Sequence, residues 1–262
     1  MPESQIRFDD GAAYERGMGA WSRLAGEIFL DWLAPHSDLR WIDIGCGNGA
    51  FTELIVERCA PAEIQAIDAS EGQLAFARSR PGVRMAQFRH GDAMDLPFAE
   101  NRFDAAVMAL VIFFVPEPAK GVAEMARVVR PSGTVATYAW DMLGGGFPLE
   151  PIRREMNALG LTLPAAPRSD ASRMDALRDL WAGAGLEAIE TREITVRRTF
   201  ADFDDFWETV LLHSSFRAAV AEMAPRDVDL VRTRVRALVP ADAAGRITHS
   251  ARANAIKGRV PG

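Results

Sequence analysis

Cysteine is scarce in this chain of 262 residues, which also lacks long apolar runs and any excess of basic side chains. The two cysteines, Cys46 and Cys59, are too few for a disulfide framework or a cysteine-based zinc site, so we expect no metal site. Because no membrane-spanning apolar run and no signal-peptide region is present, we expect a cytoplasmic protein without a membrane span. A net charge of −6 argues against a nucleic-acid partner.

The remaining composition, 48% hydrophobic and 25% charged residues, is that of an ordinary globular protein. Residues 39–49 have the pattern of a buried strand that runs into a turn containing Gly45, Gly47 and Gly49. Glycine allows the backbone to turn tightly and to approach a ligand closely. Apolar residues at helical spacing follow over residues 50–59, so the sequence predicts a strand, turn and helix that cradle a nucleotide.

A second strand, predicted over residues 62–68, ends in Asp68, which lies 19 residues after Gly49. A carboxylate at this position can accept hydrogen bonds from both hydroxyl groups of a ribose. An alternative role for Asp68 is to cap the next helix, but Ser70 and Gln73 already form a capping box there. We therefore predict that Asp68 binds the ribose of a nucleoside.

A third strand containing Val83 and Met85 is predicted next, and a turn at residues 91–93 follows it. This turn lies at the edge where open α/β sheets bind ligands, so Asp92 is placed to accept a hydrogen bond from the amine of adenine. An Asx turn is the alternative explanation for Asp92.

Strands and helices alternate through residue 140, which predicts a parallel sheet with right-handed crossovers. The fourth strand is predicted over residues 104–109, with an apolar lip at residues 110–115. Ser172 and Asp175 are expected to open a later helix. We predict a cofactor-binding core over residues 1–200, a helical lid over 201–244 and a final strand within 245–262.

An amphipathic helix is predicted from Tyr14 to Trp32 by apolar residues at helical spacing. The segment at its start is rich in glycine, and we expect it to cover the ligand with Tyr14 and Met18 pointing inward. Packing of an ordinary helix start is the alternative.

These motifs together resemble the class I S-adenosylmethionine-dependent methyltransferases, in particular the small-molecule branch that includes the ubiquinone and menaquinone C-methyltransferases. The resemblance rests on four motifs in order, namely Asp43–Gly49, Ala66–Ser70, Gly91–Ala93 followed by Leu96–Phe98 and Phe103–Asp104, and Arg130–Gly133. It implies a Rossmann-like, doubly wound α/β fold with a seven-stranded, mostly parallel sheet whose last strand is antiparallel. It also implies S-adenosylmethionine as cofactor and S-adenosylhomocysteine as product.

The resemblance also implies a role for each motif. The loop of Gly45, Cys46, Gly47 and Gly49 would wrap the methionine part, and Asp43 would order this loop or the ammonium group. The remaining cofactor contacts would be Asp68 at the ribose, Asp92 and the Ala93 amide at adenine, and also Ala69 and Ala109.

The sequence departs from the quinone enzymes at Phe113 and Phe114, where those enzymes often carry two histidines. We therefore expect a small, apolar or aromatic acceptor in a pocket formed by Met18, Phe113 and Phe114. A general base is needed if the acceptor is a hydroxyl or an acidic carbon, and His213 is the candidate; an ordinary helix-end histidine is the alternative. Cys46 suits packing better than nucleophilic attack, because no histidine lies near it in sequence.

Two other functions are compatible with part of this pattern. One is a non-catalytic module that binds or senses adenosylmethionine, since no base is evident at the apolar lip. The other is an NAD-dependent oxidoreductase, which shares the glycine turn and the ribose carboxylate. That function fits less well because Phe51 and Thr52 follow Gly49 in place of the expected continuation to another glycine. The sequence leaves the oligomeric state open.

Overall fold

The computed structural model describes residues 15–161 and 163–262 of the chain. Its strands are β1 Arg40–Ile44, β2 Glu63–Asp68, β3 Ala86–His90, β4 Phe103–Ala109, β5 Val129–Trp140, β6 Glu187–Phe200 and β7 Ile247–Arg259. Its α-helices are α1 Ala20–Leu33, α2 Ala50–Cys59, α3 Glu71–Ser79, α4 Pro118–Val128, α5 Glu150–Ala158, α6 Met174–Gly183, α7 Phe203–Leu211, α8 Ser214–Glu222 and α9 Pro225–Leu238. A π-helical turn, Glu15–Gly19, precedes α1.

The strands form one sheet in the order β3-β2-β1-β4-β5-β7-β6. The pairs among β1 to β5 are parallel, whereas β7 lies between β5 and β6 and is antiparallel to both. This topology confirms the predicted doubly wound α/β fold with an antiparallel last strand. No helix in the described part of the chain is long and apolar enough to cross a membrane.

The hydrophobic core is formed by strands whose two faces are both covered by helices. In β1, Trp41, Ile42 and Ile44 are fully buried, as expected for a central strand of a parallel sheet. Helix α1 packs against β6 and β7, and α6 packs on the same two strands. The antiparallel end of the sheet is therefore also covered by helices.

Two local predictions were wrong. The third strand begins at Ala86 rather than near Val83, because Pro81 starts a 3₁₀ turn that buries Val83 and leaves Met85 43% exposed. Ser172 does not cap α6; its hydroxyl donates to the Ser169 carbonyl and accepts the Met142 N–H.

The region predicted as a helical lid contains a separate helix over residues 214–222. This helix is α8, and residues 212 and 213 separate it from α7. Three helices therefore lie between β6 and β7, within the range predicted as a lid.

The parallel strands bring their carboxyl ends to one edge of the sheet. At this edge β1 ends before Gly45, β2 ends at Asp68, β3 ends before Gly91 and β4 ends at Ala109. The sheet thus gathers motifs that are far apart in sequence, as open α/β sheets do at their ligand-binding edge.

Candidate active site

The glycine turn leaves β1 and curves back to the end of β2. The N–H groups of Gly45 and Cys46 both donate to the carbonyl oxygen of Ile67, at 2.7 and 3.0 Å. Gly45 and Gly47 have φ angles of +72° and +53°, which side-chain-bearing residues rarely adopt. A Cβ at Gly45 would overlap the side chain of Val111, whereas a Cβ at Gly47 would meet no atom within 4 Å. The turn is therefore closely packed at its start and open at Gly47.

Asp68 connects the second strand to this turn. Its Oδ2 accepts the N–H of Gly47 and its Oδ1 accepts the N–H of Ser70, both at 2.8 Å. The Ser70 hydroxyl in turn accepts the N–H of Gln73, as predicted for the capping box. The carboxylate is half-buried, so it holds the turn in place and still faces a cavity.

Asp92 lies beside Asp68 because β2 and β3 are paired up to their ends. The N–H of Gly91 donates to the Asp68 carbonyl at 3.0 Å. The Asp92 side chain accepts the N–H of Met94 at 2.8 Å, which is the Asx turn considered as an alternative. Asp92 also lines the same cavity as Asp68, so this turn directs a carboxylate to the ligand edge.

A cavity of about 300 Å³ lies at this edge of the sheet. Eight of the residues predicted to bind cofactor line it, namely Gly45, Cys46, Gly47, Asp68, Ala69, Asp92, Ala93 and Ala109. Gly49 does not line it; a Cβ at Gly49 would approach Ala77 of α3, so this glycine serves the packing of the helix start. Tyr14 lies outside the described residues. We call this space the cofactor cavity.

Several other residues line the cofactor cavity and were not among the predicted cofactor contacts. They are Ser22, Asn48, Ala50, Phe51, Ile67, Ser70, Gln73, Gly91, Leu110, Val111, Val115, Pro116 and Tyr138. Leu110 has a φ angle of +62°, an unusual conformation for a bulky side chain and one that recurs at functional sites. No sequence signal marks this strain, because it arises where β4 ends against the Tyr138 carbonyl, which accepts the Leu110 N–H.

A second, apolar cavity of about 80 Å³ adjoins the first and shares Leu110 and Phe114 with it. Its other lining residues are Met18, Phe113, Trp140, Met142, Phe147, Arg153, Leu163, Pro164, Ala165, Ala166, His213, Ser215 and Phe216. The three residues predicted to form the substrate pocket and the predicted candidate base thus face one space. We call it the acceptor cavity.

The comparisons with known proteins agree with this geometry. A family model described as a methyltransferase domain matches residues 42–137, which include β1, the glycine turn, Asp68 and Asp92. Residues 42–137 are therefore similar to a methyltransferase domain, for which S-adenosylmethionine is the cofactor.

Two curated relatives are quinone methyltransferases. The ubiquinone/menaquinone biosynthesis C-methyltransferase UbiE of Dinoroseobacter shibae is 32% identical over 129 residues, covering 48% of this chain and 52% of that protein. The demethylmenaquinone methyltransferase of Clavibacter sepedonicus is 28% identical over 212 residues, covering 74% and 80%. The match thus spans about half the length of the first relative.

The fold recurs in solved structures of low sequence identity. YcgJ from Bacillus subtilis superposes with a TM-score of 0.64 at 16% identity, covering 92% of this chain and 99% of that chain. At this identity the similarity concerns the fold alone.

The residues of the cofactor cavity fit an adenosyl sulfonium in charge and shape. Asp68 and Asp92 both line the cavity, and carboxylate oxygens are able to accept hydrogen bonds from hydroxyl and amine groups such as those of an adenosyl group. Gly47 leaves open space where any other residue would place a Cβ, so the ligand can approach the backbone of the methyltransferase domain. The start of α2 follows directly, and a helix N-terminus favours a carboxylate group such as that of methionine.

Asp43 is placed behind the turn of the methyltransferase domain and does not line the cofactor cavity. It is fully buried, its Oδ2 accepts the Thr52 hydroxyl at 2.6 Å, and its Oδ1 has no partner among the described residues. Burial raises the pKa of its carboxyl group to about 7. Its position suits the predicted role of ordering the loop better than direct contact with the ammonium group.

We expect Asp43→Asn to stabilise the fold more at pH 8 than at pH 5. The carboxyl pKa rises from about 4 in the unfolded chain to about 7 when folded, so its ionisation progressively lowers stability as pH rises between these values. The amide keeps an acceptor for Thr52 without the charge. The gain in the free energy of unfolding should be roughly 2–3 kcal/mol larger at pH 8, measured by urea denaturation.

Asp38→Asn is the matched control for this measurement. Asp38 is exposed and has a φ angle of +61°, which asparagine also tolerates. Its substitution should give the same small change at both pH values. A gain for Asp43→Asn that does not vary with pH would show that the buried charge is not the cause.

Cys46 contributes packing to the domain. Its thiol is buried among Ala66, Leu74 and Phe88, and burial together with the nearby Asp43 and Asp68 carboxylates raises its pKa well above the usual value. Only the thiolate is a good nucleophile, so this environment disfavours covalent chemistry.

The N-terminal turn Glu15–Gly19 is held against the glycine turn from the outside. Arg80 forms ion pairs with Glu15 and Glu53, and its Nε donates to the Asn48 carbonyl at 2.6 Å. The Asn48 amide donates to Glu15 at 3.1 Å. From the other side, Arg198 donates to the Gly17 carbonyl at 2.8 Å. These contacts place Met18 in the wall of the acceptor cavity.

The histidines differ sharply in their surroundings. His36 is exposed, and His90 lies 3.1 Å from the Ala69 carbonyl at the end of β3. His249 packs between the rings of Trp21 and Phe206, so it contributes to the packing of the protein. His213 is the histidine that lines the acceptor cavity within the described residues.

Proposed function

We propose that the protein transfers the methyl group of S-adenosylmethionine to a small, apolar or aromatic molecule that binds in the acceptor cavity. The observation that carries the proposal is that the acceptor cavity and the cofactor cavity share Leu110 and Phe114. A methyl group passing between two ligands needs such adjacent sites, because the displacement is in line and direct. The named activities of the quinone methyltransferase relatives support this proposal.

The chain's own residues mainly hold the two reactants in position and exclude water from the acceptor cavity. The sulfonium cofactor supplies an activated methyl group, so no residue needs to form a covalent bond. Holding two reactants in a reactive geometry supplies about 7–11 kcal/mol of a barrier. Trp140, Phe113 and Phe114 give the acceptor cavity an aromatic wall that excludes water, which disfavours a charged ground state relative to a transition state in which charge disperses.

In the same proposal the cofactor residues keep their predicted assignments. Asp68 holds the ribose, Asp92 and the Ala93 amide bind adenine, the Gly45–Gly47 turn binds the methionine part, and Ala69 and Ala109 are further contacts. The helices of residues 201–244 act as a lid, since His213, Ser215 and Phe216 reach the acceptor cavity from this region. A cytoplasmic location and the lack of a nucleic-acid partner remain predictions of the sequence.

The test is product formation by the purified protein. We expect S-adenosylhomocysteine, detected by mass spectrometry, to accumulate with S-adenosylmethionine only when a suitable apolar acceptor is added. Tight binding of S-adenosylmethionine without turnover in a broad acceptor screen would instead favour a sensing module. Displacement of bound S-adenosylhomocysteine by NAD would favour an oxidoreductase.

A further inference from the structure

The acceptor cavity has few polar side chains. Among its described lining residues they are Arg153, His213 and Ser215, and the rest of the wall is aliphatic, aromatic or proline. Arg153 is already engaged: its Nε donates to Glu150 at 2.7 Å, one terminal nitrogen donates to the Met142 carbonyl at 2.9 Å, and its guanidinium lies over the Phe147 ring. Its charge is therefore compensated within the protein.

His213 and Ser215 form a polar pair at the start of α8. The Nδ1 of His213 lies 2.9 Å from the Ser215 hydroxyl, and the imidazole packs edge-on against Phe216 with ring centroids 5.5 Å apart. In either tautomer Nδ1 is occupied by Ser215, so Nε2 is the ring nitrogen left for a ligand. Ser215 thereby fixes the orientation of the ring.

The surroundings of His213 keep it uncharged. Burial lowers the pKa of the imidazole to about 4, so the ring is neutral at physiological pH. A charged acceptor group would lose its hydration here without gaining an opposite charge, which is costly in an apolar cavity. A neutral group able to make one hydrogen bond is suited to this position.

We propose that Nε2 of His213 forms a hydrogen bond with a hydroxyl group on an uncharged acceptor ring, and that Ser215 is the positioning residue for this imidazole. The inference rests on the proposed function. It adds which side chain recognises the acceptor, and that the acceptor is uncharged. His213 lies outside residues 42–137, so the feature belongs to the part of this chain beyond the matched methyltransferase domain.

The size of the cavity limits what it encloses. Its volume of about 80 Å³ is smaller than the roughly 150 Å³ of an engineered apolar cavity that binds benzene. The acceptor cavity therefore encloses at most part of a ring, and the remainder of an acceptor lies outside it. Single-ring probes, as the smallest aromatic ligands, are accordingly used for the test.

The experiment measures the binding of three matched probes to the full chain saturated with S-adenosylhomocysteine. The probes are 4-methylphenol, toluene and 4-methylbenzoate, followed by ligand-observed NMR. We expect 4-methylphenol to bind about fivefold more tightly than toluene, as one neutral hydrogen bond allows, and 4-methylbenzoate not to bind. In His213→Phe the preference should reverse, because the more apolar toluene then has the advantage.

Control variants separate recognition from folding. His36→Phe changes an exposed histidine and should keep the preference for 4-methylphenol, and His213→Leu repeats the test if the phenylalanine variant unfolds. Ser215→Ala should lower the preference and shift the ¹⁵N resonances of the His213 ring toward a mixture of tautomers. Ser215→Thr, which retains the hydroxyl, should restore both.

The experiment distinguishes a failure of the proposed function from a failure of the assignment of His213. If S-adenosylhomocysteine itself does not bind, the proposed function fails. If it binds but the preference for 4-methylphenol persists without His213, or 4-methylbenzoate binds as well as 4-methylphenol, or none of the three probes binds, the assignment of His213 is overturned while the cofactor site stands.

Discussion

Asp68→Ala is expected to weaken the binding of S-adenosylhomocysteine by about 1.5–3 kcal/mol, or about 12- to 150-fold in the dissociation constant. The carboxylate is the charged acceptor at the tip of β2, and hydrogen bonds to charged groups contribute on this scale. The same carboxylate also holds the N–H groups of Gly47 and Ser70, so the variant loosens the turn as well. Calorimetry gives the affinity, and thermal unfolding reports the structural part of the loss.

A thermodynamic cycle isolates the ribose contact from the loosened turn. The second ligand is the 2′-deoxy analogue of S-adenosylhomocysteine, which lacks one of the hydroxyl groups in question. The wild-type protein should prefer the ribose ligand, and Asp68→Ala should lose most of this preference. Glu71→Gln, at an exposed position of α3, should leave both affinities unchanged. An undiminished preference in Asp68→Ala would refute the ribose assignment.

The substitutions Gly45→Ala and Gly47→Ala are expected to have different effects, the first mainly on stability and the second mainly on ligand affinity. At Gly45 the new methyl group overlaps Val111 and the φ angle is positive, so we expect a loss of roughly 2–5 kcal/mol in the free energy of unfolding. At Gly47 the methyl group meets no protein atom, and only the backbone cost of about 1–2 kcal/mol remains. That methyl group stands at the cavity wall, so the affinity for S-adenosylhomocysteine should fall about tenfold or more.

Two further variants make this comparison decisive. Adding Val111→Ala to Gly45→Ala removes the overlap and should recover part of the lost stability. Gly160→Ala introduces a side chain at a φ angle of +81° with no atom within 4 Å, and so measures the backbone cost away from the cofactor cavity. Equal losses of stability at Gly45 and Gly47 would mean that contact with Val111 is not what requires glycine.

The features that the sequence predicted best are those set by local chemistry and periodicity. The glycine turn, the helix over residues 50–59 and the capping box at Ser70 depend on neighbours in the chain, and each was predicted at its observed position. The third strand was misplaced because Val83 is buried in a 3₁₀ turn, and apolar periodicity does not distinguish that burial from a strand. Ser172 was assigned as a cap, but its hydroxyl donates to the Ser169 carbonyl and accepts the N–H of Met142, which is distant in sequence and which no local pattern reveals.

Prediction of the site residues was limited in the same way, because local sequence patterns do not reveal contacts that the fold creates. Motif residues such as Asp68 and Asp92 were found because carboxylates at strand ends have a recognisable spacing. Leu110, Val111 and Tyr138 were missed because they enter the cofactor cavity through strand pairing and an unusual backbone angle. His213 was named as a candidate base, but only the fold shows that it lines the same cavity as Phe114.

The two cavities are lined by largely different stretches of the chain, so substitutions can affect one cavity and not the other. The described wall of the cofactor cavity comes entirely from residues 22–138, whereas most of the acceptor cavity comes from residues 140–216. Substitutions in residues 140–216 can therefore alter the size and polarity of the acceptor cavity without changing any described residue that lines the cofactor cavity.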